Sequence, residues 1–194
     1  MIVGLRGKAG AGKDFTASQP GIKQIFTRFA FATRLKVLCK ELFHLTEEEV
    51  NTEKKNFPIA RMPKSRPLIG LPPGTSMVEP TGEYWTPREL MQMTGQFFRS
   101  VDPDYWVRPI YELDRSRNWI ITDVRMKNEA KAIHELGGVV VEIQRPNLKL
   151  IPNHKDISEV ELDGSPLISS FILNDSDGAS IEQRLLSTLA LSGY

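Results

Sequence analysis

The residues best suited to chemistry stand at the start of the chain. Gly7-Lys8-Ala9-Gly10-Ala11-Gly12-Lys13-Asp14 has the form G-x-x-x-x-G-K, with Asp14 where a serine or threonine commonly follows the lysine. Its three glycines and two alanines let a backbone wrap closely round an anion with no side chain in the way. Successive N–H groups then point inward, and the N-terminus of a following helix adds its dipole. Lys13 supplies a point charge for the outer phosphates of a bound nucleotide. Asp14 would reach a divalent cation as a carboxylate or through water. A Gly-rich turn with a solvated lysine is the plain alternative. The context argues against it, because an apolar strand pattern, Met1 to Arg6, ends where the loop begins.

A second carboxylate, Asp123, ends the apolar run Trp119-Ile120-Ile121-Thr122. A strand tipped by Asp is what a nucleotide site needs opposite a phosphate loop to hold water on Mg²⁺. Alone, such an Asp is often only a turn residue or a helix cap. The candidate anion ligands are arginines, whose planar fork suits bidentate contact with phosphate oxygens. Arg34 begins a helix beside a strand's carboxyl end, where open α/β sheets bind ligands. Arg88 and Arg99 lie eleven residues, or three turns, apart on one helix pattern. Arg125 follows Asp123 closely, and Arg145 ends a strand. Trp106 is a candidate to stack on a base, with a core position the equal alternative. Asn174, in a polar loop, could border a purine through backbone groups.

These residues must be positioned by an alternation of strands and helices. The pattern predicts strands over 1–6, 26–31, 119–123, 139–144 and 171–173. A short helix follows the loop and is stopped by Pro20-Gly21. Leu35, Leu38, Leu42 and Leu45 mark a helix over 32–45. Thr46 with Glu49, and Thr86-Pro87 with Glu89, read as capped helix starts. The second of these carries Leu90, Met91, Thr94, Phe97, Phe98 and Val101 on one core-facing side. Further helices are predicted over 106–113, 127–136 and 180–191, the last with Ser180 and Gln183 as a capping box. Between Lys54 and Val78 there are five cations, five prolines and no acid. This reads as a mobile basic flap rather than a core element. Residues 147–168 form a second long polar stretch.

The 194 residues fit one domain. A net charge of +1 implies no bulk attraction to nucleic acid or to a membrane surface. No apolar run reaches membrane-spanning length. A single cysteine, Cys39, cannot form an internal disulfide and suits a reducing cytoplasm. The three histidines show no metal-ligand spacing.

The motifs in order resemble the bacteriophage-type deoxynucleoside monophosphate kinases of the P-loop kinase superfamily. The matching pieces are Gly7 to Asp14; Phe29-Ala30-Phe31-Ala32 leading to Leu35-Lys36; Thr86 to Leu90 through Arg99 to Tyr105-Trp106; Asp123-Val124-Arg125 with Asn128-Glu129; Val141 to Arg145-Pro146; and Asn174-Asp175. Two departures stand out. Phe15 follows Lys13-Asp14 where the family commonly has Thr, and the histidine expected close before Ser158-Glu159 is matched only by His154.

The resemblance implies a three-layer α/β fold with a five-stranded parallel sheet in the order 2-3-1-4-5. It implies one domain with an acceptor-binding insertion at about 46–113 and a lid-like loop at about 146–168. The implied reaction is ATP-dependent phosphorylation of deoxynucleoside monophosphates. Lys13, Arg99, Arg125 and Asp123 would be catalytic. ATP would contact Lys8, Ala9, Gly10, Ala11, Gly12, Lys13, Asp14, Phe15, Arg145 and Asn174. The acceptor would contact Arg34, Arg88, Arg99, Trp106 and Arg125, and Mg²⁺ would sit with Asp14 and Asp123. The resemblance admits a homodimer. A kinase of another small acceptor, such as dephospho-coenzyme A, or a non-catalytic nucleotide-binding module are the alternatives.

Overall fold

The computed structural model describes residues 1–60, 62, 84–146, 161–175 and 178–191. Strand β1 (Ile2–Arg6) is buried along its whole length, as a strand covered on both faces and both edges must be. It pairs in parallel with β3 (Trp119–Ile121), Val3 opposite Ile120, and with β4 (Val139–Gln144), Leu5 opposite Val141. β2 (Thr27–Phe29) adds to β3, and β5 (Ser170–Leu173) adds to β4, both parallel. The order is β2-β3-β1-β4-β5, as the resemblance implies.

The chain forms two compact units, Met1–Phe31 with Pro109–Tyr194, and Ala32–Arg108. The first holds the sheet. On one sheet face Val3, Leu5, Val141, Ile143 and Ile172 pack with residues of α1 (Lys13–Ala17), α2 (Pro20–Ile25) and the last helix, among them Ala17, Ile22, Ile181, Leu185 and Leu189. On the other face a β-carbon at Gly4 would come within 2.6 Å of Ile133 and 2.9 Å of Val124. Ile133 belongs to the helix at Lys127–Glu135, so glycine lets that helix lie close on the sheet. Helix, sheet and helix make three layers.

Pro20 does not stop the first helix. Ala17 ends it, and Pro20 takes the first position of α2 after Gln19 as N-cap, where its missing N–H costs nothing.

The second unit contains α3 (Ala32–Phe43), α4 (Glu47–Asn51) and α5 (Pro87–Val101). Both predicted capping boxes form, Thr46 with Glu49 and Thr86 with Glu89. Cys39, Leu45, Val50, Ile59 and Leu90 make its core. The basic stretch is therefore not a flap at its start. Ile59 is buried, its N–H donates to the Trp85 carbonyl at 2.8 Å, and the Trp85 N–H donates to Met62 at 3.0 Å. Arg61, Lys64 and Arg66 lie outside the described residues, as do His154, Ser158, Glu159 and the rest of 147–160 in the second stretch.

Other expectations fail for local reasons. Phe97 and Val101 of α5 are exposed; the buried side runs through Leu90, Thr94 and Gly95. The helix expected over 106–113 is a 3-10 turn at Arg108–Glu112, in keeping with Pro109, which lacks an N–H. The remaining helices are α6 (Lys127–Glu135) and α7 (Gly178–Leu191). Ser180 lies inside α7 and is not its cap.

Burial pushes the Cys39 thiol up from its ordinary pKa, opposed in part by its hydrogen bond with Thr94. Only thiolates react readily. The folded protein should therefore alkylate with iodoacetamide near neutral pH about 100-fold more slowly than the unfolded chain. Equal rates in buffer and in guanidinium would contradict this burial.

Candidate active site

The loop after β1 is shaped by glycines whose conformations other residues avoid. Gly10 and Gly12 have φ of 80° and 101°, in the left-handed region. The Ala11 N–H closes a turn on the Lys8 carbonyl at 3.0 Å. Lys13, first residue of α1, turns back so that Nζ donates to the carbonyls of Gly7 and, at 3.1 Å, Lys8. Its ammonium is thus held at the loop. Ala9, Gly10, Asp14 and Phe15 are exposed, and Lys8 is partly so. Thr16, one position late for the family pattern, is buried, and its hydroxyl donates to the Gly12 carbonyl at 2.9 Å. Its hydroxyl oxygen is buried rather than presented. Asp14 is the side chain that presents one.

The ends of β4 and β5 brace this loop from behind. A β-carbon on Gly7 would meet the Ile143 carbonyl at 2.5 Å. Asn174, just past β5, is buried; its amide donates to the Ala11 carbonyl at 2.8 Å and fills the space where a Gly12 side chain would stand. The Asn174 N–H donates to Gln144 at 2.7 Å. Arg145 donates to the Gly10 carbonyl at 3.4 Å. Two residues expected at the nucleotide therefore touch the loop's own backbone. Arg6, which sequence reasoning missed, lies beneath. Its guanidinium is buried and pairs with Glu142, its register partner on β4, and with Asp163. Asp163 also approaches Lys8 at 4.0 Å. A lone Arg ending an apolar strand, with an acid on the apolar fourth strand, was the available signal.

At the end of β3, Asp123 accepts the Phe31 N–H at 2.9 Å. The Val124 N–H donates to Leu5 at 3.3 Å, and Val124 is buried. Glu129 accepts the N–H groups of Arg125 and Met126 at 2.7 and 2.9 Å. The Asp-Val-Arg segment is therefore fixed at both ends, with the Arg125 side chain outside. Arg28, a second residue missed, reaches across from β2. It pairs with Asp14 and donates to the Thr122 hydroxyl at 3.2 Å.

In the other unit, Arg34 is exposed in the first turn of α3. Nε of Arg88 donates to Asn56 at 2.6 Å. Arg99 folds back along α5, its Nη1 3.3 Å from where a Gly95 β-carbon would stand. Gly95 thus makes room for an arginine one turn on. Trp106 is 4% exposed, its ring lies against Phe98 and Tyr105, and its indole N–H donates to the Gly95 carbonyl at 3.1 Å. It is a core tryptophan in this structure, and the stacking role proposed from sequence does not fit a buried ring.

Among the described residues, no three His, Cys, Asp or Glu side chains group into a metal-binding set. Mg²⁺ needs no such cage, since it is commonly held by one or two carboxylates together with water and substrate phosphates. Asp14 and Asp123 are oxygen donors of that kind.

A family model described as deoxynucleotide monophosphate kinase matches residues 73–185. A protein of Acanthamoeba polyphaga mimivirus named "Putative deoxynucleotide monophosphate kinase" is 33% identical over 165 residues, spanning 84% of this chain and 82% of that one. An uncharacterized protein of Ictalurid herpesvirus 1, ORF76, is 34% identical over 84 residues, 39% of this chain and 35% of that relative. Among solved structures, a dephospho-CoA kinase from Campylobacter jejuni aligns over 97% of this chain and 95% of its own, at 12% identity and a TM-score of 0.48.

Asn174→Ala should unfold at lower urea than the parent, with a loss of about 1–3 kcal/mol, because it strips the buried Ala11 carbonyl of its donor. An unchanged urea midpoint would remove Asn174 as a brace of the loop.

Proposed function

This chain belongs to the deoxynucleotide monophosphate kinase family, and we propose that it transfers the γ-phosphoryl group of ATP to a deoxynucleoside monophosphate. The observation that carries the reading is the loop itself. Its left-handed glycines and inward-held Lys13 suit an anion cradle at the end of β1, in a chain of a kinase family.

Little acid–base chemistry is required. The acceptor's phosphate has a second pKa of about 6, so its oxygen is already mostly ionised at neutral pH. What remains is in-line positioning and neutralisation of charge. Lys13 and the loop N–H groups hold the donor phosphates, with Lys8 and Arg145 adding positive charge beside them. Asp14 and Asp123 hold Mg²⁺, whose chemistry is to neutralise the phosphate oxygens. Arg34, Arg88, Arg99 and Arg125 are assigned to the acceptor phosphate and the transferring group. Asn174, whose side chain is committed to Ala11, acts by keeping the loop open to phosphate rather than by reading the base. Exclusion of water from the bound nucleotides would limit wasteful hydrolysis.

Lys13→Ala should lower turnover of ATP with deoxynucleoside monophosphates by about 10³-fold, as expected for a charge that acts on the transferring group. Its circular dichroism should match the parent, because Lys13 is a partly exposed residue outside the hydrophobic core. A coupled assay with each deoxynucleoside monophosphate, its ribonucleotide and dephospho-coenzyme A as acceptors checks both rate and acceptor class. Turnover of dephospho-coenzyme A alone, or binding of ATP with no acceptor turned over, would refute this reading.

A further inference from the structure

We propose that Arg28 and the divalent cation contend for the Asp14 carboxylate, so that Arg28 sets how much metal the donor nucleotide requires. The inference rests on the reading above that Asp14 faces a metal–triphosphate. Arg28 stands on β2, the strand at one end of the sheet order. A single guanidinium nitrogen, Nη2, both pairs with Asp14 and lies 3.2 Å from the Thr122 hydroxyl. Thr122 is buried at the end of β3, beside Asp123. Arg28 is therefore anchored at the site and is not an arginine free on the surface.

The chemistry follows from the departure at position 14. A hydroxyl there would be neutral, whereas Asp14 brings a negative charge to a site meant for a polyanion. Without metal, that charge opposes the triphosphate unless something neutralises it, and Arg28 does so. Two positive charges on one carboxylate repel each other, so a cation bound to Asp14 weakens its pair with Arg28. The two side chains are 52% and 71% exposed, and ion pairs of that exposure are weak. A metal–nucleotide complex can therefore open the pair at small cost. Thr122 keeps the released guanidinium within reach of the incoming phosphates.

The test measures ATP binding by calorimetry across a Mg²⁺ series and in EDTA, for the parent and for Arg28→Gln, Arg28→Lys and Asp14→Asn. In Arg28→Gln the Mg²⁺ midpoint should fall about three- to fivefold while ATP affinity in EDTA falls by a similar factor, the size expected for one exposed ion pair. Arg28→Lys keeps the charge and should stay within about twofold of the parent on the same scale. In an Asp14→Asn background, Arg28→Gln should no longer move the midpoint. A merely structural role would weaken binding equally with and without metal. That result, or an unmoved midpoint in a parent that binds MgATP, overturns this inference and leaves the kinase reading intact. A parent that binds no ATP at any Mg²⁺ concentration overturns both.

Discussion

The back of the glycine-rich loop after β1 has no room for side chains, and the candidate site depends on that constraint. At Gly7 the obstacle is the Ile143 carbonyl of β4; at Gly12 it is the Asn174 amide beyond β5. The loop is therefore pressed against the carboxyl ends of the two strands on one side of β1. Two of its carbonyls are engaged from behind, Ala11 by Asn174 and Gly10 by Arg145. A parallel sheet is what makes this possible. All five strands run the same way, so their carboxyl ends gather at one edge, and the segments that leave β1, β3, β4 and β5 meet there.

Charge is distributed over that edge in two tiers. The lower one centres on a buried arginine. Arg6 lies opposite Glu142 in the β1–β4 register and also meets Asp163. A buried arginine needs such partners, since an unpaired charge away from water is strongly unfavourable. Asp163 extends the tier to Lys8 and so ties the chain that follows the undescribed stretch to the loop's first cation. The upper tier comprises the exposed Asp14 and Arg28 with the partly buried Lys13 and Asp123. Burial suits the lower tier to a fixed scaffold. Exposure leaves the Asp14–Arg28 pair of the upper one weak.

The second unit is built by different means. Two capping boxes start α4 and α5, and a small core joins Cys39, Leu45, Val50, Ile59 and Leu90. Gly95 serves twice. Its missing side chain admits Arg99, and its carbonyl receives the Trp106 indole. A helix glycine costs about 1 kcal/mol against alanine, and here its site is shared by an arginine and a tryptophan. Phe98, Tyr105 and Trp106 form one aromatic cluster around it.

Much of this was legible along the chain. Strand positions and both Thr-initiated helices were open to local reading, because each rests on residues close in sequence, and the strand order followed from the family resemblance. Apolar alternation, Gly and Pro placement and capping boxes are local devices. Partners were not legible. Arg28 finds Asp14 fourteen residues away, Arg6 finds Asp163 at a separation of 157, and Asn174 finds Ala11 at 163. Whether Trp106 is presented or buried, and whether Ile59 packs or hangs in a flap, turned on what folds over them. The sequence by itself determined which residues could carry charge and where the backbone had to bend. The tertiary structure decided which of those charges oppose one another, since proximity across strands comes from sheet order and register, and no spacing within one strand encodes it.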